Sequence, residues 1–345
     1  MGKSFRVGVT RDFLKPDGTP GFGDIGLAVL DRAGLAWEFM ADRVGELRPE
    51  QIADYDALLL LGPRLTTASL EGQPRLKLVA RFGVGYDNVD VPACTQHGVL
   101  LTITPDGVRR PVAVAALTFI LALAGKVLAK DRITREGRWA EKLDHMGMGL
   151  TGRTLGVIGL GNIGREVFRM AAPLEMRHVG HDPYLDEAAA SQHGIEWLPL
   201  EELLGESDFV CVCCNLTDQT HHLINAARLA LMKPTAYLIN VARGPIVEQQ
   251  ALTAALRERR IAGAGLDVFE QEPIDPADPL LKLDNVVLAP HALCWTDECF
   301  AGNGRSACQS ILDVAAGRVP QHVVNRAALK HPRWEKIASQ ASAAK

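Results

Sequence analysis

Short apolar runs that read as strands alternate with helical stretches along the 345-residue chain, and this alternation restricts the fold more than any other feature. Early in the chain the runs are FRVGVT, DALLLL, KLVARF and GVLLTI. Later come TLGVIG, RHVGHD, DFVCVCC, AYLINV, AGAGLDV and NVVLAP. Parallel strands need long crossover connections, usually helical, so the pattern predicts α/β architecture with mostly parallel sheets. Around Pro105 to Pro111 the strand pattern stops, and a long helix is expected from about 112 to 137. A second helix is expected at about 296 to 317, ending near Gly317. Too few residues follow for a third core, so that helix must pack on an earlier domain. The tail after about 330, HPRWEKIASQASAAK, reads as polar and peripheral.

Composition narrows the partners. The chain is 47% hydrophobic and long enough for two domains. Its 37 basic and 41 acidic side chains nearly cancel, leaving a formal charge of −4. No basic stripe marks a nucleic-acid or acidic-membrane surface, so a small-molecule substrate is expected. Seven cysteines, an odd number without regular spacing, argue against a disulfide framework and for a reducing compartment. Cys211 and Cys214 make a formal C-x-x-C, but within an apolar strand and with no second ligand pair nearby. They read as small buried hydrophobes rather than zinc ligands. His291, Cys294 and Cys299 likewise lack a fourth ligand at a familiar spacing, so no metal is expected. The start, MGKSFRVGV, carries no signal-peptide pattern, and the apolar run at 112–125 is too short to span a bilayer. The expectation is a soluble, cytoplasmic protein.

The strongest local signal is TLGVIGLGNIGREVFRM. Gly159-x-Gly161-x-x-Gly164 follows an apolar strand and opens a helix, with Asp182 at the end of the next strand. Gly159 makes the tight turn, Gly161 lets the backbone approach a pyrophosphate, and Gly164 lets helix and strand pack closely. The amides of Asn162 and Ile163 then present a helix N-terminus to the anion. Asp182 can accept hydrogen bonds from both adenosine ribose hydroxyls and would repel a 2′-phosphate. Pro183 and Tyr184 follow where a basic residue would favour NADP, so NAD is the expected cofactor. S-adenosylmethionine is the rival ligand for such a loop, and it needs different company downstream.

That company consists of three ionisable side chains at three strand ends. AYLINVARGPIV ends a strand with Arg243, AGAGLDVFEQEP ends one with Glu272 close behind, and NVVLAPH ends one with His291. Ligands of open α/β sheets sit beyond the carboxyl ends of the strands. On its own, a lone histidine in an apolar run is more often a core residue with a backbone partner. With a guanidinium to fork onto a carboxylate, and a carboxylate behind the imidazole, chemistry becomes the better reading.

Together GLGNIG with Asp182, NVARGPIV, GLDVFEQEP and APH resemble the D-2-hydroxyacid dehydrogenase family, as do RFGVGYDNVD (81–90) and TPDGVRRPVA (104–113). The resemblance covers roughly residues 55 to 320. It implies hydride transfer between NAD and C2 of a 2-oxo or 2-hydroxy acid. Arg243 would bind the substrate carboxylate and carbonyl, Glu272 would hold His291, and His291 would be the general acid/base. Asp267 is placed like the residue that holds the nicotinamide amide, and Val84 and Gly85 match a loop whose N–H groups grip the substrate carboxylate. The resemblance further implies a flavodoxin-like substrate domain over 1–103, completed by a carboxyl-terminal helix within 297–330. A Rossmann domain over 104–296 would hold NAD. A homodimer is implied, with the segment 132–150 as its arm.

The chain departs from the family pattern at Leu293, Cys294 and Trp295, where small residues are usual. It also departs at Cys213-Cys214-Asn215, where His-x-Pro is common, and at Val114, often a glutamate. These departures leave the substrate open. Relatives that act as NAD(H)-sensing corepressors, and the formate and phosphite dehydrogenases, are the alternatives the resemblance leaves.

Overall fold

The chain is built of two compact units, known here from a computed structural model that describes residues 4–335. One unit holds the described residues 4–108 together with 295–335. The other runs from Arg109 to Cys294.

In the first unit five strands are parallel throughout: β1 (Arg6–Val9), β2 (Ala36–Phe39), β3 (Ala57–Leu60), β4 (Leu78–Arg81) and β5 (Leu100–Thr102). Their order, β2-β1-β3-β4-β5, is the flavodoxin-like one. Side chains alternate along a strand, so β3 sends Ala57 and Leu59 into one core and Leu58 and Leu60 into another. Burial on both faces explains why DALLLL reads as an unbroken apolar run. The helix Asp297–Ala315, capped by Thr296 Oγ1 on the Cys299 amide, covers one face with Ala307, Cys308 and Ile311.

The second unit orders seven parallel strands β12-β11-β10-β9-β6-β7-β8. These are β6 (Thr154–Ile158), β7 (Arg177–His181), β8 (Glu196–Trp197), β9 (Phe209–Val212), β10 (Tyr237–Asn240), β11 (Gly263–Leu266) and β12 (Val286–Leu288). The order reverses between β6 and β9, which is the topological switch point of a Rossmann sheet. Every expected strand is present. Two strands escaped the sequence reading, β2 and β8, and both are sheet edges. Edge strands bury one face at most. β2 accordingly alternates exposed and half-buried positions and never shows an apolar run.

Two further expectations need correction. The single helix from 112 to 137 is two helices, Pro105–Ala124 and Val127–Arg135, broken at Gly125-Lys126 with Lys126 left-handed at φ 51°. It also starts earlier, because Pro105 suits a first helical turn and Pro111 is tolerated inside the helix. The first helix is long and apolar enough to cross a membrane, yet more than half of it is buried in the protein, with Phe119 and Ile120 fully inside. The residues just after 330 are not peripheral. Trp334 is 2% exposed and donates its indole N–H to the Gly98 carbonyl at 2.7 Å, and Arg333 donates to the Leu76 and Pro74 carbonyls. One tryptophan among polar neighbours was hidden by the average character of the tail. Residues 336–345 lie outside the described residues.

Asp56, buried ahead of β3, shows how a charge is kept inside. Its Oδ2 accepts from the Arg6 amide and from Arg75, and its Oδ1 accepts from Lys77 Nζ at 3.1 Å. Burial alone would raise its pKa, but Arg75, the Arg6 amide and Lys77 outweigh that and hold it below the ordinary aspartate value. A depressed folded pKa gives stability that is present above the unfolded value and lost as pH falls through the folded one. Asp56→Asn is expected to cost about 2–3 kcal/mol at neutral pH, the scale of lost charge-assisted hydrogen bonds. In urea titrations this difference should shrink as the pH is lowered below 3.8. A difference independent of pH would refute the assignment.

Candidate active site

The glycine loop lies at the switch point of the second unit, and its geometry explains each glycine differently. Gly159 has φ +96°, and a Cβ there would lie 2.6 Å from Cys214 Cα, so the end of β6 rests directly on the backbone leaving β9. At Gly164 a Cβ would strike the Gly159 carbonyl, whereas at Gly161 it would meet nothing within 4 Å. Gly161 caps the helix Asn162–Ala171, and its side of the helix end carries no side-chain cap. The amide end of a ten-residue helix therefore faces open space, which suits a pyrophosphate. Asp182 braces the loop: its Oδ2 accepts from the Leu160 amide and its Oδ1 from the Tyr184 amide, both at 2.9 Å. Lone pairs remain on both oxygens for hydroxyl donors. The residues present fit a dinucleotide.

Behind the loop, Cys211 and Cys213 face each other with sulfurs 3.6 Å apart. The Cys214 thiol is pushed up to about 12, chiefly by burial, so it stays protonated. Among the described residues no three His, Cys, Asp or Glu side chains gather in a metal-binding cluster.

The same unit brings Glu272 and His291 together. His291 Nδ1 and Glu272 Oε2 are 2.7 Å apart, and Glu272 Oε1 accepts the Phe269 amide at 3.0 Å. Burial opposes the Glu272 charge, but the bond from His291, the Phe269 amide and the charges of His291 and Arg243 together hold its carboxyl below the usual glutamate range. His291 sits at φ 53°, an uncommon backbone state for a side chain of this size, and its amide donates to the Asp267 carbonyl at 2.7 Å. Asp267 Oδ1 accepts the next two amides, Ala292 and Leu293. Burial raises the Asp267 pKa against those bonds. The turn that aims the imidazole is thus fixed from both sides by one buried aspartate.

Arg243 follows β10 on a turn locked by Asn240, whose Nδ2 donates to the Arg243 carbonyl and whose Oδ1 accepts the Ala242 amide. Next to it, Gly244 permits a very close backbone approach. A Cβ there would overlap the Phe269 carbonyl, so the Arg243 turn lies against the loop that leads to Glu272. A second histidine–glutamate pair ties the neighbouring loop in: His222 Nε2 is 2.7 Å from Glu270 Oε1, and the His222 amide donates to the Pro245 carbonyl. Sequence reading missed Asn240, Gly244, His222 and Glu270. The first two were visible inside NVARGPIV, but His222 and Glu270, 48 residues apart, had no signal.

Val84 and Gly85 belong to the first unit and follow β4. Gly83 before them has φ +127°, and its amide donates to Thr104 Oγ1 at 2.8 Å.

Residues 117–292 match the profile of the D-isomer specific 2-hydroxyacid dehydrogenase NAD-binding domain. The chain is 42% identical to a glyoxylate reductase of Korarchaeum cryptofilum, over 81% of this chain and 86% of that one. It is 40% identical to a glyoxylate reductase of Thermococcus onnurineus, over 85% and 90% respectively. Among solved structures, the TT0316 protein of Thermus thermophilus superposes with a TM-score of 0.81 at 33% identity, covering 93% of this chain and all of that one. The chain belongs to the D-isomer-specific 2-hydroxyacid dehydrogenase family and is an NAD-dependent oxidoreductase.

The acidic residue at the end of β7 generates a cofactor test. With Asp182 and no Lys or Arg at the two positions after it, kcat/KM is expected to favour NADH over NADPH by at least about tenfold, the cost of placing a phosphate beside a carboxylate. Asp182→Ser combined with Pro183→Arg should narrow that ratio. A wild-type preference for NADPH would remove Asp182 from the ribose site.

Proposed function

We propose that the enzyme reduces a small 2-oxo acid, glyoxylate being the first to test, to its 2-hydroxy acid, and runs the reverse oxidation on D-2-hydroxy acids. The observation that carries this reading is the His291–Glu272 pair at 2.7 Å, with the Arg243 charge acting on the same carboxylate. When bound, NAD supplies the hydride chemistry at C2. Arg243 forks onto the substrate carboxylate and carbonyl, and the amides of Val84 and Gly85 are donors suited to a substrate carboxylate. His291 Nδ1 is engaged by Glu272, so Nε2 is the atom that gives a proton to the forming alkoxide or takes one from the hydroxyl. Glu272 fixes the ring's orientation, as a carboxylate behind a catalytic imidazole does. Asp267 spends Oδ1 on the His291 turn and offers Oδ2 to the nicotinamide carboxamide. Gly159, Gly161, Asn162, Ile163 and Gly164 cradle the pyrophosphate, and Asp182 takes the adenosine ribose.

The partner of this chain in the reading is a second copy. In the second unit Leu121, Val127, Leu128, Trp139, Leu143 and Met146 are exposed, Leu143 and Met146 at 78% each. They occupy consecutive segments from the helix Pro105–Ala124 to the short 3-10 helix Trp139–His145. Successive large apolar side chains left in water support association through this segment. The seven cysteines, none of them in a disulfide, suit a reducing cytoplasm.

His291→Ala should lower kcat with glyoxylate by about 10²–10⁴-fold while leaving NADH binding near wild type. Arg243→Lys keeps the charge and loses the planar fork, and should lower kcat/KM by roughly 30- to 150-fold. Steady-state kinetics across a panel of 2-oxo acids and uncharged ketones checks both. Near-wild-type activity of either variant, or equal use of an uncharged ketone, would overturn the assignment. Light scattering should show a dimer that Leu143→Asp with Met146→Asp converts to monomer. A monomeric wild type would remove the arm.

A further inference from the structure

Three polar groups buried in the first unit form a relay that ends beside the proposed carboxylate grip. The Thr104 hydroxyl accepts the Gly83 N–H at 2.8 Å and donates its own proton to Asn303 Oδ1 at 2.7 Å. The backbones are joined as well, the Thr104 amide donating to the Gly83 carbonyl at 2.9 Å. Thr104 and Asn303 are 1% and 3% exposed, so bulk water cannot replace a lost partner. Asn303 is wedged in turn against Gly107, where a Cβ would lie 2.8 Å from Asn303 Cα. The Gly107 amide donates back to the Thr104 carbonyl at 3.1 Å.

The bend that this relay holds is unusual. Gly83 lies at φ +127°, a region L side chains rarely enter, so local preference does not fix it. Two bonds to Thr104 do, and the direction of the next two amides, Val84 and Gly85, follows from that bend. An apolar residue of similar size at 104 would fill the space and serve packing alone. A hydroxyl that accepts from the loop and donates to a second buried side chain serves geometry.

We propose that Thr104 and Asn303 are positioning residues that set the conformation of the Gly83–Val84–Gly85 loop and, through it, affinity for the substrate carboxylate. The second half rests on reading Val84 and Gly85 as the carboxylate grip. Thr104→Val deletes the hydroxyl at nearly constant shape, Thr104→Ser keeps it, and Asn303→Ala removes the last link together with the Nδ2 bond to Cys299 Sγ. Full-length variants would be compared by amide hydrogen exchange at residues 83–85, by KM and kcat for glyoxylate, and by NADH affinity.

Thr104→Val is expected to speed exchange at 83–85 by at least about tenfold, the mark of a lost local restraint. It should raise KM about tenfold with kcat and NADH affinity within about twofold, since the lost interaction is one of ground-state binding. Asn303→Ala should fall between Thr104→Val and wild type, and Thr104→Ser should restore wild-type behaviour. A lower melting temperature with unchanged exchange and unchanged KM in both Thr104→Val and Asn303→Ala would overturn the proposal, leaving packing as the role. Faster exchange without any change in KM would uphold the hold on the loop and overturn its link to substrate, and with it the carboxylate-grip reading. The exchange measurement needs no substrate, so the two failures are distinguishable.

Discussion

The nucleotide-binding half of this protein depends on backbone touching backbone. At the switch point the end of β6 rests on the chain leaving β9 through Gly159, and the helix of the phosphate loop closes on Gly159 through Gly164. At the next strands Gly244 lets the Arg243 turn lie on the carbonyl of Phe269. Dispersion and amide–carbonyl contacts at these separations fix loops to within a fraction of an ångström, which no exposed side-chain pair can do. A methyl group at any of the three would force neighbouring strand ends apart.

On that frame the charges can be economical. Asp267 is nearly inaccessible to water, and its bonds to the Ala292 and Leu293 amides aim the residue before them. Glu272 keeps its charge although half surrounded by protein, because a histidine, an amide and a guanidinium all favour the anion. The two carboxylates are driven in opposite directions from their ordinary values, one by burial and the other by its partners. Such divergence between neighbouring acids is a common sign of divided labour in an active site.

How much of this was legible in the sequence follows from the range of each interaction. The switch-point loop was readable because its three glycines and Asp182 serve contacts local in sequence or one strand away. Arg243, Glu272 and His291 stood out in the sequence because each follows an apolar run, against which an ionisable residue is conspicuous. Asn240 was overlooked inside a quoted motif, since a buried asparagine that locks its own turn looks like an ordinary strand end. His222 with Glu270, and Thr104 with Asn303, join residues 48 and 199 apart, and spacing carries no trace of such pairs. The edge strands and Trp334 failed for a different reason. Window averages dilute a single buried residue among exposed ones.

The first unit has a property that its neighbour lacks. Its sheet comes from the early part of the chain, but its cover comes from Asp297–Ala315, and its last large core residue is Trp334, seated on the Gly98 carbonyl. During synthesis every residue of the second unit is available once Cys294 has emerged, while the first must wait with one face of β1, β3 and β4 bare. The nucleotide half can therefore complete before the half that begins the chain. A ribosome that stalls soon after Cys294, or a cut ahead of Asp297, would release a protein able to hold cofactor while its other sheet remains open to aggregation.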